Sequence, residues 1–299
     1  MKRVFYASPL VPSELIRAHG FLPMMGAGGS FRGSGPVPDA AGVCAFLRAF
    51  VNEACASDEA AAVVLTTECD QMRRGGELAA VHCDVPLFLM DVPATRGAPA
   101  VQAAYVGELR RLGRFLVALG GTRPSDEDIW DAMAEADQSR RTSFPSVALV
   151  EGVPLALLGG HVSGRNGELA AEIERCGGRI VLDGTDRGAR TRPAPLRARS
   201  APDDPYDELA RVYFDALPTV CERPNERLYD WLRAALAESG ARGLVLLRYV
   251  WCDLWHAELA ELERAFDLPV LDIDLCGEEL SPRNRTRVQA LIEALQVRT

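Results

Sequence analysis

Two short apolar runs limit what this chain can fold into. Ala61-Ala62-Val63-Val64-Leu65 and Gly243-Leu244-Val245-Leu246-Leu247 contain no polar side chain. A run this short, without period-two alternation, reads as a strand buried on both faces, as in parallel sheets covered by helices. Each run leads to a Cys-Asp pair: the first through Thr66-Thr67-Glu68 to Cys69-Asp70, the second through Arg248-Tyr249-Val250-Trp251 to Cys252-Asp253. Open α/β sheets bind their ligands beyond the carboxyl ends of their strands. Both thiols therefore fall where chemistry is expected.

The remaining chain alternates in the same way. Val4-Phe5-Tyr6 is a short strand, Ser13 is placed to cap a helix that stops at Gly20, and Phe21 to Met25 forms a second strand. Gly26 to Pro38 reads as a loop whose glycines match neither dinucleotide-binding nor P-loop spacing. Helices are expected over 39–56, 74–81 and 99–119, with a strand at 86–93. A further helix opens at Ser125, with Asp128 three residues on. The second half restarts with strands at 153–158 and 179–183, a polar segment over 184–204, and strands ending at Tyr249 and Ile273, with helices between them and a last helix over 282–295. The fold class is α/β, with two flavodoxin- or Rossmann-like domains of mostly parallel sheets. The boundary falls near 143–152, giving a domain over 1–147 with Cys44 and Cys69 and a domain over 148–299 with Cys252.

Composition narrows the chemistry. Hydrophobic residues make up 48% and charged residues 25%, enough for well-buried cores. A net charge of −9 argues against a nucleic-acid surface. The sole lysine is Lys2, which leaves little scope for a Schiff base or a phosphate-cradling lysine. Pro9, Pro12, Glu14 and Arg17 interrupt any signal-peptide core, and no apolar stretch is long enough for a membrane span. A cytoplasmic location is expected, where the eight cysteines would serve metal binding or catalysis rather than disulfides.

Ser8-Pro9-x-x-Pro12-x-Glu14-Leu15-Ile16-x-Ala18-x-Gly20 resembles the N-terminal signature of 2-hydroxyacyl-CoA dehydratase subunits, which benzoyl-CoA reductase subunits share. Cys44, Cys69-Asp70-x-x-Arg73 and Cys252-Asp253 match that family's three separated cysteines. Asp91-Val92-Pro93, Gly120-Gly121, Arg140-Arg141 and Asn284-Arg285-Thr286-Arg287 also fit, in family order. The resemblance implies a [4Fe-4S] cluster held by the three cysteines in the cleft between the domains, with one iron free for the thioester carbonyl of an acyl-CoA. It implies an ATP-dependent iron–sulfur activator that injects one electron, a ketyl radical that expels hydroxide, and a homologous subunit in a homo- or heterodimer. The chain is shorter than family subunits as a rule. A related branch holds a double-cubane [8Fe-9S] cluster, for which Cys55, Cys83, Cys221 and Cys276 are spare sulfurs.

The same residues have plainer readings. Thiolates are the usual ligands of iron–sulfur clusters, yet a free cysteine often serves as a small core hydrophobe. Asp70 and Asp253 either tune a cluster or cap helices. Arg73 holds an anion or a surface ion pair. Ser8 and Glu14 are catalytic candidates, as hydrogen-bond donor and base, although Glu14 also suits a helix first turn. His19, His82, His161 and His256 show no paired metal spacing, and His161 follows a strand-end Gly-Gly that could line the cleft. Trp251 and Trp255 either shield a cluster or pack in a core. Beside the radical dehydratase stand three alternatives: a double-cubane reductase, a non-catalytic electron-relay subunit and a cluster-free ligand-binding protein.

Overall fold

The computed structural model describes residues 1–26, 35, 37, 43–142, 151–161, 167–199, 203–276 and 280–297. Most of the expected glycine-rich loop, the start expected for the helix over 39–56, and the expected 147/148 boundary lie outside the described residues. The first half contains β1 (Arg3–Tyr6), α1 (Ser13–Ala18), β2 (Leu22–Met25), α2 (Ala45–Cys55), β3 (Ala60–Thr66), α3 (Asp70–His82), β4 (Leu87–Met90), α4 (Pro99–Ala118) and α5 (Asp126–Thr142). The second half contains β5 (Val153–Gly159), α6 (Gly167–Arg175), β6 (Gly178–Gly184), α7 (Pro205–Leu209), α8 (Glu226–Ser239), β7 (Gly243–Tyr249), α9 (Asp253–Ala265), β8 (Val270–Leu275) and α10 (Pro282–Val297). A π-helical turn over Ala210–Asp215 continues α7.

Each half forms a four-stranded, wholly parallel sheet, ordered β2-β1-β3-β4 and β6-β5-β7-β8. The two orders are equivalent. In each the direction of strand addition reverses between the first strand of the half and the third, which creates a crevice at the carboxyl edge. The expected two-unit α/β architecture is what the chain adopts.

Side-chain alternation explains why the apolar runs are continuous. Phe5, Val63 and Leu65 face α2 and α3, while Val4, Tyr6 and Val64 face α1, α4 and α5. In the second sheet Leu155, Val245 and Leu247 face α6 and α10, and Ala156, Leu244 and Leu246 face α8 and α9. A strand covered on both faces has no position for a polar residue. One apolar cluster joins the two sheets and includes Phe46 and Phe50 of α2. The halves also interlock, because Leu209, Phe214 and Leu217 bury in the first half's second core. Phe214 stacks on Tyr105 at 4.6 Å and lies under the Arg96 guanidinium at 3.8 Å.

Local signals set the helix ends with some departures. Ser125 and Asp128 exchange hydrogen bonds as a capping pair, as expected. Ser13 does not cap α1: it is the first helical residue, Pro12 stands at the cap, and the Ser13 hydroxyl donates to Glu14 at 3.3 Å. Gly75 is required by a close approach, since a Cβ there would stand 2.2 Å from a Leu47 methyl carbon. That gap lets α3 lie against α2.

The expectation that the cysteines are free fails at Cys55 and Cys83, which form a disulfide with Cα atoms 5.6 Å apart. Cys55 ends α2 and Cys83 follows the end of α3, so the packing of these two helices brings the thiols together. A separation of 28 residues carries no trace of that meeting.

Glu14 is 1% exposed and anchors a buried ion pair across the fold. Arg140 of α5 donates to one carboxylate oxygen at 2.5 Å, and the Tyr213 hydroxyl donates to the other at 2.5 Å. Breaking a buried pair strands a charge, so Arg140→Ala is expected to cost about 3–5 kcal/mol in urea unfolding. A loss below about 1 kcal/mol would show that the pair does not hold the fold together. A second carboxylate sets a pH dependence. Hydrogen bonds from Arg175 and then Arg285 pull the Glu172 carboxyl down from 4.5 to about 2. A depressed carboxyl stabilises the fold above its unfolded pKa, and that stability is lost as pH falls from 4.5 towards 2. Both arginines are substantially exposed, so the gain is at most about 1 kcal/mol. Unfolding titrations between pH 6 and pH 2 should show Glu172→Gln flattening the acid limb; an unchanged limb would remove the network from the stability account.

Candidate functional site

The carboxyl edges of the central strands meet at one cavity of about 260 Å³. The segment after β1 contributes Pro9, and the one after β3 contributes Glu68 and Cys69. Gly160 and His161 follow β5, Asp186 follows β6, Tyr249 ends β7, and Trp251 and Cys252 follow it. Cys44 and Phe46 come from the start of α2, and Thr219, Val220 and Cys221 from the segment before α8. Cys44, Cys69 and Cys252 thus line the same cavity, and Cys221 joins them.

The three expected cysteines share a local design. Cys44 stands at the N-cap of α2, Cys69 at that of α3 and Cys252 at that of α9. Asp70 and Asp253 are consequently not caps; each is the first residue inside its helix, a position that suits a negative charge. None of the sulfurs makes a capping hydrogen bond of ordinary geometry. First-turn amides nevertheless favour the thiolates: those of Leu47 and Phe46 at Cys44, Met72 and Gln71 at Cys69, and Trp255 at Cys252.

Burial works against ionisation and prevails in the free chain. Desolvation first, helped by charge repulsion, pushes all three thiols up from 9.0 to about 11. The repulsion is mutual, with Cys69 acting on Cys44, Cys252 on Cys69 and Cys44 on Cys252. Each thiol is therefore neutral near pH 7 in the free chain and becomes a thiolate only against a compensating positive charge. Among the described residues no three or more His, Cys, Asp or Glu close in on a point where a single ion could sit. The donor set is sulfur-rich and spread around a cavity, which suits a polynuclear core wider than one ion.

Around the thiols lies a second set of polar groups. Glu68 lines the cavity and accepts hydrogen bonds from Thr66 at 2.8 Å and from Ser8. Ser8 is fully buried, and its oxygen also accepts from the Leu10 amide at 3.0 Å. Ser8 therefore acts through Glu68 and does not itself line the cavity. Glu14 does not line it either, since both of its oxygens are engaged by Arg140 and Tyr213. Arg73 is exposed and donates to the Thr67 carbonyl at 3.2 Å. The Cys44 amide donates to Gln71 Oε1 at 2.6 Å, tying the N-termini of α2 and α3 together.

His161 lines the cavity and stacks on Phe46 at 4.4 Å. Its Nδ1 lies 3.1 Å from Asp186 Oδ2, and its Nε2 has no partner among the described residues. The fully buried Arg190 holds Asp186 in turn and donates to the carbonyls of Gly184, Pro218 and Gly159 at 2.8, 2.9 and 3.1 Å. Its guanidinium also sits 5.3 Å over the Trp255 ring. Trp255 is buried, whereas Trp251 is 48% exposed at the rim. Arg248 in the wall is engaged bidentately by Asp272 at 2.8 and 2.7 Å. Sequence reading passed over Asp186, Arg190 and Glu68. The polar segment over 184–204 was the available signal for the first two, and adjacency to Cys69 for the third.

A wider cavity of about 1140 Å³ lies alongside and shares Pro9 and Asp186 with the first. Arg17, Arg140, Arg187 and Arg192 line it together with Glu135, Asp183 and Asp186.

Similar solved structures are the laminin-binding protein Lmb of Streptococcus agalactiae (12% identity, 99% of each chain covered, TM-score 0.26) and Lbp of Streptococcus pyogenes (12% identity, 98% and 96% covered, TM-score 0.24). Ornithine carbamoyltransferase from Pyrococcus furiosus is similar at 12% identity, with 98% and 84% covered and a TM-score of 0.21. At these scores the likenesses carry no argument about fold or function. No curated protein matches the chain. The family model for 2-hydroxyglutaryl-CoA dehydratase, D-component, matches residues 10–144 and again 145–295. The matched residues together span nearly the whole sequence, so the chain belongs to the 2-hydroxyglutaryl-CoA dehydratase D-component family.

Proposed function

We propose that this chain is the iron–sulfur subunit of a 2-hydroxyacyl-CoA dehydratase-type enzyme, which dehydrates or reduces an acyl-CoA thioester by radical chemistry after one-electron activation. Cys44, Cys69 and Cys252 would hold a [4Fe-4S] cluster between the two sheets. When bound, such a cluster supplies one-electron transfer and a Lewis-acidic iron. The observation that carries the reading is the convergence of three thiols, from both halves of the chain, on one cavity. Cysteines kept only as core packing would have no reason to border one cavity.

The surrounding residues have parts in the same reading. The amides at three helix N-termini favour the thiolates, and the apolar cover of Phe46 and Trp255 keeps water away. His161, oriented through Nδ1 by Asp186, presents its second nitrogen for moving a proton, and Glu68 offers a fixed carboxylate. Ser8 positions Glu68, and Glu14 stabilises the fold, so neither touches the reacting atoms. A cavity of about 260 Å³ is below the ~300–1,000 Å³ of drug-sized sites, so only the acyl end fits there. The rest of coenzyme A would extend into the wider cavity beside it, whose lining mixes arginines with Glu135, Asp183 and Asp186. A homologous subunit and an ATP-dependent activator are the implied partners. The double-cubane alternative is weaker, because Cys55 and Cys83 are bonded to each other and Cys276 is exposed.

Anaerobic purification, reconstitution, and iron and sulfide analysis test the proposal. About four irons per chain are expected, and Cys44→Ser, Cys69→Ser or Cys252→Ser should each bring the content below about one. A wild-type chain that keeps less than about one iron after reconstitution would sink the reading.

A further inference from the structure

The charges around the smaller cavity are unevenly matched. Among the described residues, Glu68, Asp70, Asp186 and Asp253 line it as acids, and Arg190 and Arg248 as permanent cations. Both arginines are engaged within the fold. Arg248 is buried and held at 2.8 and 2.7 Å by the two oxygens of Asp272. Arg190 is buried, paired with one oxygen of Asp186, and donates to three backbone carbonyls besides. A protonated His161 would be matched by the other oxygen of Asp186, 3.1 Å from its Nδ1. Arg96 lies within reach of the charges of Glu222 and Glu68, but it sits over the Phe214 ring, donates to the Phe214 carbonyl and does not line the cavity.

Glu68 differs from Asp186 in having no ion-pair partner among the described residues. Its Oε2 accepts from two neutral donors, Thr66 at 2.8 Å and Ser8. The donor left over is neutral as well. Thr219 is 4% exposed and lines the cavity, and its hydroxyl has no hydrogen-bond partner among the described residues. A buried hydroxyl left unpaired is unfavourable, so an acceptor on a ligand fits there. Phe46, Leu47, Met72, Val220, Leu254 and Trp255 supply the apolar lining, which suits hydrocarbon. Carboxylates, by contrast, are recognised best by a guanidinium that is free to meet them. A carboxylate brought into this cavity of about 260 Å³ would lose water and face the charge of Glu68, with neither lining arginine free to offset that cost.

We propose that the acyl group this chain accepts is short and uncharged: a 2-hydroxyacyl thioester with a hydrocarbon end, not the second carboxylate of a 2-hydroxyglutaryl group. Glu68 excludes the carboxylate, and Thr219 donates to an oxygen of the accepted acyl group. The inference rests on the proposed acyl-CoA function and narrows it. Rejection by an unpaired like charge is a usual source of specificity between substrates of similar shape.

Isothermal titration calorimetry on the anaerobically reconstituted full-length chain, without an activator so that no turnover occurs, tests this with two probes. 2-Hydroxypentanoyl-CoA and 2-hydroxyglutaryl-CoA share chain length and differ only in a terminal methyl against a terminal carboxylate. The wild-type chain should bind the first at least about tenfold more tightly. Glu68→Gln should narrow that ratio by about threefold or more, by strengthening the 2-hydroxyglutaryl thioester. Thr219→Val should weaken 2-hydroxypentanoyl-CoA by about fivefold, and Thr219→Ser should restore it. The wild-type comparison needs no variant and so is immune to folding defects. Equal or tighter binding of 2-hydroxyglutaryl-CoA by the wild type overturns the uncharged substrate while leaving the acyl-CoA function in place. A ratio unmoved by Glu68→Gln, or full affinity in Thr219→Val, overturns the part given to that residue. A wild-type chain that binds neither thioester overturns the acyl-CoA function itself, and this inference with it.

Discussion

A parallel sheet must be covered on both faces, and that constraint decides where this protein can place its chemistry. With helices on each side of both sheets, strand faces are taken up by packing, as the near-apolar β3 and β7 show. Only the carboxyl ends remain open, and strand order makes a crevice there in each half. Cys69 and Cys252 follow the third strand of their respective sheets, so the two crevices deliver equivalent thiols to a common cavity. Cys44 reaches it from the start of a helix, held to α3 by the hydrogen bond from its amide to Gln71.

Electrostatics then sets the terms of occupancy. Bringing thiols together in a largely apolar wall raises each of them, and the free chain therefore keeps them neutral. Helix N-termini offset part of that cost, while Arg190 and Arg248 are committed to Asp186 and Asp272 and leave little unclaimed positive charge in the wall. Such a site favours a core that brings its own positive charge and soft acceptors. Thr219, whose buried hydroxyl has no hydrogen-bond partner among the described residues, lines the same cavity.

The rest of the molecule serves to hold the two halves in register. The segment from Leu209 to Leu217 crosses into the first half's core, and Tyr213 completes the pair between Glu14 and Arg140. A residue in the N-terminal motif is thereby tied to one in the second half. Glu14, with the charge and place of a catalytic base in sequence, has both its oxygens engaged in that contact. Ser8 is similarly one step removed, because the oxygen it supports belongs to Glu68.

Much of the fold was legible in the sequence, because burial on both faces writes itself as uninterrupted apolar runs. The strands at 61–65 and 243–247, the capping pair at Ser125, and the alternation of strands with helices follow from local pattern alone. So did the three cysteines, as residues that end strands or open helices. What local pattern could not contain was which distant groups meet. The union of Cys55 with Cys83, the capture of Glu14 by Arg140, and the arrival of Asp186, Arg190 and Cys221 at the thiol wall depend on how α2 lies on α3 and how the second half folds onto the first. Sequence by itself determined the layers and the chemical types available, since periodicity and propensity act over a few residues. Tertiary structure alone decided the neighbours, because a contact across the fold is set by packing between elements and leaves no mark on the residues near it in the chain.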